Sequence, residues 1–126
     1  MLFDTDVLIW YLRGNRKAGQ AIDACADPAI SIVTYMEMIQ GAHNRDEVRT
    51  IRAFLRDLSL RMVPLSENIG HRAVVYLEEY GLKVALGLAD SLIAATAVEN
   101  NLLLVTGNQK HFGVIQDLQI QTFRPA

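Results

Sequence analysis

Three acidic residues, widely separated along the chain, carry the clearest chemical signal in this sequence. Asp4 ends a very short apolar run, Glu37 lies in the first helical turn after a β-branched run, and Asp90 begins a strongly helical segment. Asn108 follows a continuous apolar run and adds a carboxamide oxygen. Because functional side chains gather at the carboxyl ends of parallel strands, we expect these four residues to meet at one edge of a sheet.

Carboxylates that lie close together repel one another, and the size of this repulsion indicates what such a cluster does. Two carboxylates about 4 Å apart repel by about 4 kcal/mol at an effective dielectric constant of about 20. Three such pairs approach the whole stability of a domain, roughly 5–15 kcal/mol. Protonation or a bound cation relieves this repulsion, and all-oxygen ligands favour Mg²⁺ or Mn²⁺ over zinc. Such ions activate water and stabilise phosphoryl oxygens, so we expect a metal-dependent phosphodiesterase.

Each acid also has a purely structural interpretation. Asp6 stands where the first helix should begin, and we expect it to be the N-cap. Glu37 can close a capping box with Thr34, and Asp90 can cap its own helix. Asp4 needs a partner, because it ends a buried strand. The joint placement of the acids, rather than any one of them, supports the metal-site interpretation.

The elements that must position these acids follow from the apolar periodicity. Short apolar runs predict strands at 2–3, 30–33, 62–65, 102–105 and 119–123. Longer periodic segments predict helices at 7–12, 16–26, 34–43, 45–59 and 90–100, and one through Ala73 that Gly81 ends. Right-handed crossovers between such strands give a central, mainly parallel sheet with helices on both faces. The predicted fold class is therefore a three-layer α/β/α arrangement.

Length and composition restrict the class of protein further. The 126 residues correspond to a single domain, 1–126, and 51% hydrophobic residues can fill its core. The charged fraction of 21%, with 8 Gly and 3 Pro, excludes disordered and fibrous proteins. One cysteine excludes a disulfide scaffold, and the three scattered histidines lack zinc-ligand spacing. The net charge of −2 means that any nucleic acid must contact a local basic patch.

The N-terminus and the apolar runs bear on localisation. The chain is acidic by residue 4, unlike the basic start of a secretory signal. No apolar run reaches the roughly 18 residues of a membrane span, since the longest, 84–98, is interrupted by Asp90. We therefore expect a cytoplasmic protein that has no membrane contact.

One predicted helix presents four arginines on a single face, spaced by four, three and four residues. This arginine stripe consists of Arg45, Arg49, Arg52 and Arg56. It has two interpretations. Either it is a solvated face, partly neutralised by acidic residues of the same helix, or it is a ridge that contacts phosphates.

Four motifs, in this order and over nearly the whole chain, resemble those of the PIN-domain ribonucleases, in particular the VapC toxins of bacterial and archaeal toxin–antitoxin pairs. The motifs are 4–9 (DTDVLI), 37–41 (EMIQG), 90–97 (DSLIAATA) and 104–112 (LVTGNQKHF). The resemblance implies an Mg²⁺-dependent endoribonuclease, with Mn²⁺ as a substitute, that hydrolyses RNA phosphodiester bonds with a metal-activated water. It also implies a homodimer and a VapB-type antitoxin whose C-terminal segment covers the site.

The resemblance assigns roles to four residues. Asp4 and Asp90 match the direct metal ligands, and Glu37 completes an acidic triad. The chain departs from the pattern in the last motif, where many relatives have an aspartate. Here Asn108 stands in the motif, with His111 nearby, and the carboxamide adds no charge.

Two other functions fit parts of the sequence. The Asp4-Thr5-Asp6 segment fits the nucleophile motif of haloacid-dehalogenase-type phosphatases, but that family needs a lysine and an acidic pair further on. Only 18 residues follow Asn108, which is too few. The second alternative is a catalytically weakened PIN fold that binds RNA or protein, because the fourth acid is missing.

Overall fold

The computed structural model describes residues 1–126, and five strands are distributed among seven helices. The strands are β1 (Leu2–Phe3), β2 (Ala29–Ser31), β3 (Arg61–Val63), β4 (Leu104–Thr106) and β5 (Ile120–Thr122). The helices are α1 (Thr5–Leu12), α2 (Arg16–Asp23), α3 (Ile32–Gln40), α4 (Arg45–Asp57), α5 (Glu67–Val84), α6 (Leu88–Glu99) and α7 (Gln109–Phe112). None of these helices combines the length and the apolar character needed to cross a membrane.

All five strands pair in parallel, in the spatial order β3-β2-β1-β4-β5. The chain builds the sheet outward from β1 to β3, and then returns to place β4 and β5 on the other side of β1. The strand order therefore reverses between β1 and β4, where Phe3 pairs with Val105. A crevice forms at such a point outside the carboxyl ends of the strands.

Two apolar cores lie on opposite faces of the sheet, as a three-layer fold requires. Consecutive strand residues divide between them, because side chains alternate across a strand. Leu104 belongs to the core beneath α5 and α6, whereas Val105 belongs to the core beneath α1, α2 and α4. The predicted α/β/α class is confirmed, and the sheet is entirely parallel.

Helices α1 and α3 begin earlier than the sequence indicated. Asp4 caps α1 by accepting from the Thr5 N–H, so the prediction that Asp6 is the cap was wrong. Ser31 caps α3 by accepting from the Val33 N–H at 3.0 Å. The predicted capping box between Thr34 and Glu37 was therefore wrong, since both residues lie inside α3. Asp4 directly follows β1 and Ser31 is the last residue of β2, so no loop separates either strand from its helix.

The connection between α5 and α6 also differs from the expectation. Helix α5 continues past Gly81 to Val84 and ends at Ala85, which has a left-handed backbone with φ 55°. Gly87 is the N-cap of α6. Asp90 therefore lies within the first turn of α6 and is not its cap.

An ionic network joins α5 and α6 to the segment before β5. Arg72 of α5 donates from Nε to Glu99 at the end of α6 and from Nη1 to Asp117 at 2.7 Å. Asp117 also accepts from the hydroxyl of Tyr76 at 2.9 Å. Because the Glu99 side chain is only 20% exposed, the guanidinium is its main compensation for lost hydration.

Replacing Arg72 with Met should lower the free energy of unfolding by about 1–2 kcal/mol, because a half-buried carboxylate loses its donor while the network stays partly hydrated. Urea unfolding would measure the change. The matched control is Arg45→Met, since Arg45 is exposed and makes no ion pair. Equal urea midpoints for the two variants would show that the network contributes nothing to stability.

Candidate active site

Asp4 lies where β1 ends and α1 begins, and its carboxylate is buried. Its Oδ1 accepts from the backbone N–H of Thr5 at 2.8 Å, and its Oδ2 accepts from the hydroxyl of Thr106 at 2.7 Å. Burial, followed by the negative charge of Asp6, raises the pKa of Asp4 to about 7. Asp4 thus connects β1, α1 and β4 while holding an acid in a poorly hydrated position.

Asp6 is a second acid at the same edge, half-buried, and the sequence pattern indicated only a capping role for it. Its Oδ2 accepts from the backbone N–H of Gly107 at 2.9 Å, whereas its Oδ1 is buried and has no hydrogen-bond partner. Burial is the main cause that raises the pKa of Asp6. A Cβ atom on residue 107 would lie 2.8 Å from Asp6 Oδ2, so glycine there permits the contact. The unpartnered oxygen calls for a proton or a cation.

Asp90 reaches the site from the first turn of α6. Its negative charge contributes to raising the pKa of Asp4 and of Asp6, which places the three carboxylates in one electrostatic environment. Asp90 Oδ2 also lies 3.4 Å from Nδ1 of His111 in α7. Four elements therefore meet here, since α1 supplies Asp6, α6 supplies Asp90, β4 supplies Thr106 and α7 supplies His111.

Asn108 has a local role in this structure. Its backbone N–H donates to the hydroxyl of Thr106 at 3.0 Å, and its side-chain oxygen accepts from the His111 N–H at 3.4 Å to cap α7. Its Nδ2 lies 2.9 Å from His111 Nδ1. One ring nitrogen carries either a proton or a lone pair, so His111 Nδ1 can serve Asn108 or Asp90 but not both. Asn108 thus contacts the histidine that faces Asp90.

Glu37 approaches from α3 on the other side of α1. Its Oε1 accepts from the hydroxyl of Thr5 at 2.6 Å, and the hydroxyl of Thr34 lies 3.1 Å from that of Thr5. Since Thr5 also donates its backbone N–H to Asp4, this one threonine links Glu37 to the buried acid. Glu37 also lines a groove of about 410 Å³, with Ile9 and Leu12 of α1 on its wall.

The chemistry of the site is that of hard oxygen ligands. No group of three or more His, Cys, Asp or Glu side chains is arranged to enclose a metal ion by itself. Mg²⁺ does not require such a cage, because it keeps several waters and uses one or two carboxylates. Asp6 Oδ1, which lacks a donor, and the neighbouring carboxylates of Asp4 and Asp90 fit that requirement.

Known proteins resemble this chain along almost its whole length. The family model described as PIN domain matches residues 1–116. Ribonuclease VapC10 of Mycobacterium tuberculosis is 36% identical over 126 residues, covering 94% of this chain and 90% of that protein. The chain belongs to the PIN-domain family, in its VapC branch.

Solved structures of similar fold include a toxin–antitoxin complex and a VapBC pair. A chain from the toxin–antitoxin complex of Klebsiella pneumoniae superimposes with a TM-score of 0.78 at 34% identity, covering 99% of this chain and 97% of that one. A chain from VapBC-1 of nontypeable Haemophilus influenzae has a TM-score of 0.80 at 26% identity, with 96% of each chain covered. The likeness therefore extends over the whole α/β/α fold.

The buried acid gives this PIN domain a specific dependence of stability on pH. The pKa of Asp4 is about 7 in the folded state and near 3.8 when the residue is unperturbed. Between these values the folded state retains a proton that the unfolded state releases, so stability should fall as pH rises from about 4 to about 7 and stay low above.

In the absence of divalent cations, Asp4→Asn should remove that loss and raise the free energy of unfolding at pH 8 by several kcal/mol, since each pKa unit corresponds to about 1.4 kcal/mol. Urea unfolding from pH 4 to pH 8 would measure it. Asp23→Asn, at an exposed position in α2, is the control and should follow the wild-type profile. If Asp4→Asn keeps the wild-type pH slope, Asp4 is not the titrating group.

Proposed function

We propose that this PIN domain is an Mg²⁺-dependent endoribonuclease, the toxin of a VapBC-type toxin–antitoxin pair. The observation that carries the proposal is the meeting of Asp4, Asp6 and Asp90 at the point where the strand order reverses, with one carboxylate oxygen buried and unpartnered. The name of the M. tuberculosis relative, Ribonuclease VapC10, supports the activity.

A cation relieves the two unfavourable features of the site at once. It neutralises carboxylates whose pKa values are raised by burial, and it supplies a partner for Asp6 Oδ1. Asp4 and Asp90 would be the ligands, with Asp6 beside them. When bound, the ion supplies positive charge to the phosphoryl oxygens and acidifies water. Mn²⁺ would substitute, because it shares the preference for oxygen ligands.

The protein's own groups orient the acids for this task. The hydroxyl of Thr106 and the N–H of Thr5 hold the two oxygens of Asp4, and the N–H of Gly107 holds one oxygen of Asp6. Glu37 is held by the hydroxyl of Thr5 at the edge of the groove. These contacts lock each carboxylate in one orientation, as positioning groups around a metal site do.

A PIN fold that binds RNA or protein without catalysis remains the second candidate. The observation that favours it is Asn108, whose carboxamide caps α7 where many relatives carry an acid. Asp6 weighs against it, because it brings a further carboxylate to the same cluster from α1. Cleavage assays separate the two candidates.

Two apolar surfaces support the proposed partners. The groove beside Glu37 is walled partly by the exposed side chains of Ile9 and Leu12, and we propose that the C-terminal segment of a VapB-type antitoxin fills it.

The second apolar surface lies at the α5–α6 connection near Asp90. It is flanked by Leu82, which is fully exposed, and by Leu88, which is 67% exposed. Exposed apolar side chains of this kind mark an interface, and we propose that they meet a second copy of the chain in a homodimer.

Asp4→Asn and Asp90→Asn should each reduce cleavage of a cellular RNA pool by at least about 100-fold, because a proposed ligand loses its charge while the fold persists. The assay is run with Mg²⁺ and with EDTA, and EDTA should abolish wild-type cleavage. Asp23→Asn is the control and should cleave as the wild type does. Wild-type rates in either site variant would show that the assigned site is wrong, whereas an inactive wild type would favour the binding module.

The ends of the cleaved RNA provide an independent test of the chemistry. Attack by water does not need the ribose 2′-hydroxyl, so the products should carry 5′-phosphate and 3′-hydroxyl ends. His111, which contacts Asp90 and Asn108, has no second histidine in contact for acid–base transesterification. Mass spectrometry of short products would identify the ends, and 2′,3′-cyclic phosphates would contradict the hydrolytic mechanism.

A further inference from the structure

The arginine stripe of α4 is a strongly basic surface outside the acidic site. All four of its arginines are exposed, on the side of α4 opposite to Thr50, which faces the groove beside Glu37. Arg49 pairs with Asp46 at 3.3 Å, and Arg56 lies 3.8 Å from Asp57. Arg45 and Arg52 contact no carboxylate. The stripe thus keeps a local positive charge on a chain whose net charge is −2.

Arg52 differs from the rest of the stripe because its guanidinium is hydrogen-bonded to another helix. Its Nε donates to the hydroxyl of Tyr35 in α3 at 3.0 Å, which leaves both terminal nitrogens of the guanidinium available. A guanidinium oriented by this hydrogen bond presents a planar pair of donors that matches phosphate oxygens.

A small pocket of about 300 Å³ opens beside this guanidinium. Its polar wall is formed by Arg52 and Arg56, and its apolar wall by Tyr35, Leu60 and Met62. An aromatic and aliphatic wall next to two guanidinium groups suits a nucleotide, because the base can pack on the apolar side while the phosphate meets the cations.

Tyr35 of the pocket and Glu37 beside the acids lie on either side of the solvent-exposed face of α3. Tyr35, Met36 and Glu37 are consecutive, so they step round the helix by about 100° each. Tyr35 faces the pocket, Met36 is 52% exposed, and Glu37 lies at the groove beside the acids. A strand of RNA that crosses Met36 would therefore reach both places.

We propose that the pocket bounded by Tyr35, Arg52 and Arg56 is a secondary RNA-binding site, which holds a nucleotide of the substrate away from the scissile bond. The proposal rests on the proposed ribonuclease function for its substrate class. The secondary site contributes affinity for longer RNA and does not take part in the chemistry.

The test compares an Arg52→Gln/Arg56→Gln double variant with the wild type in binding to mixed-sequence single-stranded RNA at several KCl concentrations, with EDTA present. Two lengths are used, about 30 and about 6 nucleotides, since single-stranded sites span roughly 4–16 nucleotides. For the longer RNA we expect affinity to fall by about two- to thirty-fold, which is what two exposed ion pairs contribute. The slope of log affinity against log KCl concentration should become shallower by about 1.4, which is about 0.7 for each lost phosphate contact. The short RNA should show a much smaller change.

The matched control is Arg13→Gln/Arg16→Gln, which removes the same charge beyond the far end of α1, the end away from the acids. This control variant should leave the salt slope near the wild-type value. Arg52→Lys keeps the positive charge, so it should retain most of the wild-type slope. Urea midpoints of all variants establish that they are folded. In a cleavage assay with Mg²⁺, the Arg52→Gln/Arg56→Gln variant should show a raised KM for the longer RNA, because the lost contacts lie away from the acidic site.

Three outcomes would overturn the secondary site. The first is a salt slope of the Arg52→Gln/Arg56→Gln variant that equals the wild-type slope. The second is an equal change of slope in the Arg13→Gln/Arg16→Gln control, because that change would reflect net charge alone. Weaker self-association in light scattering together with an unchanged slope would assign the stripe to a second copy of the chain. The ribonuclease proposal fails separately, when the wild type cleaves no RNA although the double variant still binds it more weakly.

Discussion

The buried carboxylate of Asp4 is the interaction on which the rest of the site depends. It receives the N–H of Thr5 at the start of α1 and the hydroxyl of Thr106 at the end of β4, which is 102 residues away in the chain. The contact with Thr106 links the ends of β1 and β4, the two strands between which the sheet reverses its order. Because the group is buried, its preference for a proton or a cation follows directly from its position.

The contacts of Asp6 and Glu37 follow from the place where β1 ends and α1 begins. Asp6 lies one half-turn further along α1, where it contacts Gly107, and Thr5 carries the hydroxyl that holds Glu37. Residues 4, 5 and 6 thus contact Thr106, Glu37 and Gly107, respectively. The negative charges of Asp6 and Asp90 raise the pKa of Asp4, so the ionised cluster lowers the stability of the fold in return for negative charge concentrated at this edge of the sheet.

Helix caps are where local pattern and tertiary structure disagreed. The sequence pattern suggested Asp6 and Thr34 as caps, whereas Asp4 and Ser31, the residues that end or directly follow β1 and β2, hold these positions. Good capping residues stand at both places, so local preference alone does not choose between them. The choice follows from where each strand stops, and this depends on pairing with strands that are distant in sequence.

The sequence by itself determined the fold class, the five strands and the candidate acids, because buried parallel strands require apolar runs and an acid beside such a run is conspicuous. It also indicated the arginine stripe, since helical periodicity is a local property. Only the tertiary structure decided that Asp6 belongs to the site, that Asn108 caps α7, and that Arg52 is held by Tyr35. Each of these depends on a hydrogen bond or burial created by packing, and such contacts have no local sequence signature.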